Sequence, residues 1–141
     1  MTTSQTGHDI TPLGAEAREL LAQKLTPEER HILLDHGTEP PFCGGFLAEK
    51  GKGTYACRLC ELPLYRSDTK FESGTGWPSF HTAYDPAHVR EIEDRSHGMR
   101  RVEIRCARCD GHLGPMFPDG PKPSGMRHCL NSASLAFLPE A

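Results

Sequence analysis

The feature that most constrains this chain is a repeated turn, Cys57-Arg58-Leu59-Cys60 and Cys106-Ala107-Arg108-Cys109. Two cysteines two residues apart let one tight turn aim both sulfurs at a single point, and two such turns close a tetrahedron suited to zinc. The 45 residues between the pairs exceed the gap of a simple zinc ribbon. They predict two turns from neighbouring hairpins of one sheet. Four thiolates leave a metal no open position, so a Zn2+ here, one per chain, is expected to be structural. A thioredoxin-like dithiol is the competing reading of either pair, but neither stands in a strand–helix–strand pattern. An iron–sulfur cluster is the third, separable by colour because the zinc form has none.

Composition says why a staple is needed. Leu, Ile, Val and Phe together number 26 of 141 residues, while Gly and Pro contribute 14 and 12. So few large apolar residues approach the level of disordered chains, but a net charge of −3 is too small to go with it. The expectation is a frayed tail over residues 1–10 and one domain over 11–141, with metal links supplementing a modest core. No apolar run approaches the length of a membrane span. The polar start, Met1 to Asp9, lacks the basic and apolar regions of a signal peptide, so a cytoplasmic, reducing setting is expected. The weakly negative charge argues against nucleic acid as a partner.

The apolar pattern separates the two ends of the chain. Thr11-Pro12 can open a helix, and Ala17, Leu20, Leu21 and Leu25 form a helical stripe within Ala15 to Leu25. Thr26-Pro27-Glu28-Glu29 is a capping box before Ile32, Leu33 and Leu34, with Gly37 as the stop. From Lys52 onward short strands alternate with Gly/Pro turns: 53–56, 63–66, 77–80, 89–93, 100–105, 112–117 and 131–138. Arg101 to Cys106 alternates charged and apolar residues strictly, the mark of a half-buried antiparallel strand. The body is therefore mainly β, with short helices at the N-terminal end.

Cys129 stands apart, in Arg127-His128-Cys129-Leu130-Asn131-Ser132. A neighbouring cation favours the thiolate, the nucleophilic form of cysteine. Strand alternation puts Arg127, Cys129 and Asn131 on one face, a poor core but a good polar site. His112 and Asp119 lie in the segment just before it, Gly111 to Pro121. The single tryptophan, Trp77, sits between Gly76 and Pro78 in a turn, half exposed and able to wall a ligand. His31, His36, His81 and His88 read as surface or loop histidines. Phe71, Phe80, Phe117 and Phe137 read as core, and Arg100-Arg101 as a solvated strand edge.

Taken together these motifs resemble the type-B methionine sulfoxide reductases, the family that acts on the R epimer. The likeness is carried by Gly-Thr-Glu-Pro-Pro-Phe at 37–42, both cysteine pairs, Gly-Trp-Pro-Ser-Phe at 76–80, Gly-His-Leu-Gly at 111–114, Phe-Pro-Asp-Gly-Pro at 117–121 and Arg-His-Cys-Leu-Asn-Ser at 127–132. It runs from about Leu25 to Phe137. The resemblance implies two antiparallel sheets with short N-terminal helices, stapled by the four-cysteine zinc site. It implies Cys129 as the nucleophile that attacks the sulfoxide sulfur and becomes a sulfenic acid, with Arg127 favouring its thiolate. Trp77 would pack on the substrate's ε-methyl group. His112, Asp119 and Asn131 would position the sulfoxide oxygen and help to protonate it.

Two departures from the family pattern matter. Pro115 stands where many members have a second histidine, which leaves His112 as the expected proton donor, with His97 or His128 as substitutes. Thr75 stands where many carry a resolving cysteine, which leaves Cys43, in the Pro/Gly loop, to form a redox-active disulfide with Cys129 that thioredoxin reduces. The expected protein is then a monomeric, cytoplasmic repair enzyme for peptidyl methionine-R-sulfoxide. Two rivals are a zinc-stapled binding module without catalysis and a general thiol–disulfide or peroxide-reducing enzyme using Cys43 and Cys129.

Overall fold

A computed structural model describes residues 2–42, 44–47, 49–95 and 101–140; Cys43, His97 and Arg100 lie outside the described residues. Two short helices come first, α1 (Ala15–Ala22) and α2 (Pro27–Asp35). The capping box forms: the Glu29 N–H donates to the Thr26 hydroxyl at 3.2 Å, and the Thr26 N–H donates to the Glu29 carboxylate at 2.9 Å. The stop comes one residue before Gly37, at His36, which takes the left-handed conformation with φ 58°. α1 is shorter than its apolar stripe suggests. It begins after Gly14 and leaves Leu20 exposed, while Ala22 and Leu25 turn into the core.

Among the described residues nine strands follow: β1 (Gly53–Cys57), β2 (Pro63–Arg66), β3 (Lys70–Phe71), β4 (Ser79–Phe80), β5 (Val89–Asp94), β6 (Arg101–Cys106), β7 (His112–Phe117), β8 (Arg127–Cys129) and β9 (Leu135–Pro139). Their pairings are antiparallel and form two sheets, ordered β2-β1-β9 and β3-β4-β8-β7-β6-β5. The fold is mainly β, with two antiparallel sheets and two short helices, as the resemblance implied. The expected strand over 131–138 divides: Ser132–Ser134 is a short 3-10 turn, and only then does β9 begin. In β6, Ile104 and Cys106 are buried while Arg101 is exposed, which satisfies the alternation.

The core fills the space between the sheets. Tyr65 stacks on Phe80 at 4.6 Å between ring centroids, and Tyr55 meets the same ring edge-on at 5.0 Å. Such aromatic pairs add area and geometric specificity to a core poor in aliphatic residues. Phe80 is core as expected, but Phe117 is 38% exposed. Within residues 2–10, expected from sequence to be a frayed tail, side chains reach the domain. Buried Ser4 meets His88 Nε2 at 2.8 Å, and the Thr6 hydroxyl donates to Asp85 at 3.0 Å. His88 is correspondingly fully buried and not the surface or loop histidine expected.

Candidate functional site

Each cysteine pair occupies the turn of a hairpin, and the two turns share one geometry. After the second cysteine of each pair a residue turns left-handed, Glu61 at φ 68° and Asp110 at φ 61°. Its N–H returns to the carbonyl of the first cysteine, at 2.8 Å to Cys57 and 2.9 Å to Cys106. The four sulfur atoms lie within 4.8 Å of one another, with Cys57–Cys109 at 3.5 Å and Cys60–Cys106 at 3.4 Å. The edge of a tetrahedron of sulfurs at zinc bond length is about 3.8 Å. The donor set and its closure therefore fit a structural metal. One expectation is corrected: the hairpins belong to different sheets, β1–β2 in the smaller and β6–β7 in the larger. The four sulfurs meet between the sheets and do not bridge strands of one sheet.

Cys129 ends β8 and opens into a cavity of about 370 Å³ lined by Thr38, Thr75, Trp77, Pro115, Phe117, Arg127, Cys129 and Asn131. β8 pairs with β7 so that Phe117 faces Arg127. The guanidinium lies 4.3 Å from the centre of the Phe117 ring, and Asp119 holds it by bonds of 2.9 and 3.2 Å. From there Arg127 Nη1 donates to Cys129 Sγ at 3.7 Å. The Asp119 hydrogen bond raises the Arg127 pKa and in return lowers that of Asp119, so the pair stays charged. Gly114 makes this packing possible: at φ 156° it sits so close to β8 that a β-carbon would collide with the Cys129 carbonyl.

A second set of donors reaches the same sulfur. Thr75 Oγ1 is 3.6 Å from Cys129 Sγ and 2.8 Å from Ser73 Oγ, which is 2.7 Å from Ser79 Oγ. Ser79 Oγ also lies 4.0 Å from the sulfur. Sequence reasoning noted Thr75 only for what it replaces; no spacing signals that these three hydroxyls converge.

Glu39 was missed altogether. It is buried, its N–H donates to Asn131 Oδ1 at 3.0 Å, and its carbonyl accepts from Trp77 Nε1 at 3.0 Å. Its carboxylate accepts from the Ala133 N–H at 2.9 Å. One residue thus fixes the tryptophan wall to the turn that follows Cys129. Asn131 donates its amide to the Leu113 carbonyl at 3.1 Å, so both ends of its side chain hold backbone. The charge of Glu39 within a Pro-rich motif was the available signal.

The remaining candidates fall around the pocket. His112 is not among the residues that line it. Its Nδ1 lies 2.6 Å from Glu103 Oε2, which also meets His36 Nδ1 at 2.8 Å, while Arg105 Nη2 meets Oε1 at 2.9 Å. Burial pushes Glu103 up, but its bonds to Arg105, His112 and His36 outweigh that and hold the carboxyl at about 2. Burial lowers the His112 pKa, against the pull of Glu103. Glu103 is the register partner of Pro115, so this group borders the cavity wall. His36, read as a surface or loop histidine, belongs to it. His128 is unsuited to donate a proton: it is buried, meets Tyr65 Oη at 2.8 Å, and burial depresses its pKa to about 4.

A model of the SelR domain matches residues 25–139. The chain is 56% identical over 137 residues to the peptide methionine sulfoxide reductase MsrB of Caulobacter vibrioides (strain NA1000 / CB15N), covering 97% of this chain and 86% of that protein. It is 57% identical over 131 residues to the protein of the same name from Xylella fastidiosa (strain M23), covering 93% and 84%. These matches span both sheets, the sulfur cluster and the Cys129 cavity, and the chain belongs to the SelR domain family, that of the type-B methionine sulfoxide reductases.

Proposed function

We infer that this chain reduces methionine-R-sulfoxide in peptides and proteins to methionine, with Cys129 as the nucleophile. One observation carries the mechanism: a thiol within hydrogen-bond reach of Arg127 and Thr75 faces a cavity walled by Trp77, Phe117 and Pro115. A methionine sulfoxide side chain has the matching form, an apolar stem and methyl group around one polar S–O bond. Trp77 and Phe117 seat the apolar part, while the polar side of the cavity receives the oxygen.

The Cys129 thiolate attacks the sulfoxide sulfur as the oxygen takes up a proton. The oxygen passes to the cysteine as S–OH, and methionine departs with the electron pair. The substrate sulfur is reduced by two electrons and Cys129 is oxidised by two. Arg127, held by Asp119, and the Thr75 hydroxyl stabilise the ionised sulfur before attack. His112 supplies the proton from the edge of the cavity through water, replenished by way of Glu103 and the solvent-facing His36. Asn131 and Glu39 keep the walls in register.

For recycling, Cys43 attacks the sulfenic acid, water leaves, and a Cys43–Cys129 disulfide forms for thioredoxin to reduce. The loop before Cys43 adjoins the cavity, since the Phe42 N–H donates to the Gly76 carbonyl at 2.7 Å, next to Thr75. Cys57, Cys60, Cys106 and Cys109 hold a structural Zn2+, which takes no part in the reaction. The protein works as a monomer in the cytoplasm; among the described residues no helix is long and apolar enough to cross a membrane.

An assay on peptides carrying the R or the S sulfoxide tests the reading. Turnover of the R epimer alone is expected, abolished in Cys129→Ser and strongly reduced in His112→Ala. Turnover of the S epimer or an active serine variant would overturn the assignment, and a wild-type rate in His112→Ala would remove that proton donor. Peptide mapping after one turnover without reductant should find residues 43 and 129 linked; free thiol at Cys43 would rule out its role.

A further inference from the structure

A second cavity, of about 550 Å³, lies against the first and is lined by Arg101, Val102, Pro115, Met116, Phe117, Pro118 and Met126. Pro115 and Phe117 line both cavities, so the two are sides of one wall. Apart from Arg101 its described lining is apolar, and two of the side chains are methionines, which adapt to varied shapes. The register explains the position. Val102 pairs with Met116 across β6 and β7, and Phe117 pairs with Arg127 across β7 and β8, so the trough begins where the nucleophile's neighbours end.

We propose that this trough takes an apolar side chain of the substrate polypeptide, two residues from the methionine sulfoxide. The proposal rests on the reductase reading above. An extended peptide puts the side chains of residues i and i+2 on the same side, about 7 Å apart. A sulfoxide seated against Trp77 and Phe117 therefore places its second neighbour just beyond the shared wall. The apolar trough is continuous with the reacting cavity, so the chain that fills one is led across the other. The occupant is thus Leu, Ile, Val, Phe or Met two positions from the oxidised residue.

The experiment measures kcat/KM for blocked pentapeptides with a central methionine-R-sulfoxide and Leu or Ser at the second position on either side. N-acetyl-methionine-R-sulfoxide amide, too short to reach the trough, is the reference substrate. Leu on one side should raise kcat/KM about ten-fold or more over Ser, mainly through KM. Met126→Asp, and separately the milder Val102→Thr, should erase much of that preference while leaving the reference substrate unchanged. A flat peptide series with normal turnover of the reference substrate would overturn the trough alone. A preference that survives in both variants would overturn it as well. Absence of turnover on every substrate would overturn the reductase reading and the trough with it.

Discussion

Thr75 shows how much a single side chain can depend on its setting. Its hydroxyl lies 3.6 Å from Cys129 Sγ and is linked through Ser73 to Ser79, so a thiolate there meets hydroxyls on one side and Arg127 on the other. A hydrogen bond to a charged group is worth about 1.5–3 kcal/mol, a factor of ten or more in rate when it acts on the reacting form. Thr75→Val should lower single-turnover rates by about that factor. An unchanged rate would make Thr75 mere packing. At this scale the sequence is readable where a residue is chemically unusual for its place. Arg127, Cys129 and Trp77 could be named because a cation beside a lone thiol, or a tryptophan between glycine and proline, is a poor use of those residues in a core. Thr75 could not, since a hydroxyl acquires its role only when the fold brings its partner across 54 residues of chain, and what the Glu39 carboxylate holds, the Ala133 N–H, lies 94 residues on.

Strand alternation decides the roles of the adjacent residues in β8. Cys129 opens to the cavity, while His128 turns inward to Tyr65. Burial holds His128 neutral in the fold, with a pKa of about 4 against 6.5 for the free side chain. Below pH 6.5 the unfolded chain takes up a proton that the native chain refuses. The stability gained by keeping this histidine neutral is thus complete above pH 6.5 and is lost as pH falls towards 4, by roughly 3 kcal/mol. Denaturant midpoints should fall across that window, and His128→Gln should flatten the fall; parallel curves for the two proteins would contradict it. Elements with strong internal signals were legible: the capping box of α2, the alternation of β6, and β2 and β7 to the residue. β3 was not, because a two-residue strand exists only through its partner, and β4 fills only the last two residues of the strand expected over 77–80. Nothing local says which sheet a hairpin joins, so the sequence placed both cysteine turns in one.

Across the whole molecule the sulfur cluster ties the smaller sheet to the one that carries Cys129, Phe117 and Arg127. The metal's binding energy counts as folding energy when the site does not exist in the unfolded chain. Stripping whatever metal the four cysteines bind with a chelator under reducing conditions should lower the melting temperature by at least about 10 °C, with loss of activity that follows the melting and not the chelation itself at low temperature. Calorimetry of the metal-free protein checks this, and an unshifted transition would mean the sheets hold without the staple.

The cluster also bears on how such a protein ages under the oxidants whose damage it reverses. Cys57, Cys106 and Cys109 are sealed from solvent, whereas Cys60 is partly open. A thiolate is attacked in proportion to its accessibility. Of the four sulfurs, Cys60 is therefore the one that a dissolved oxidant reaches first, and it lies outside the lining of the Cys129 cavity.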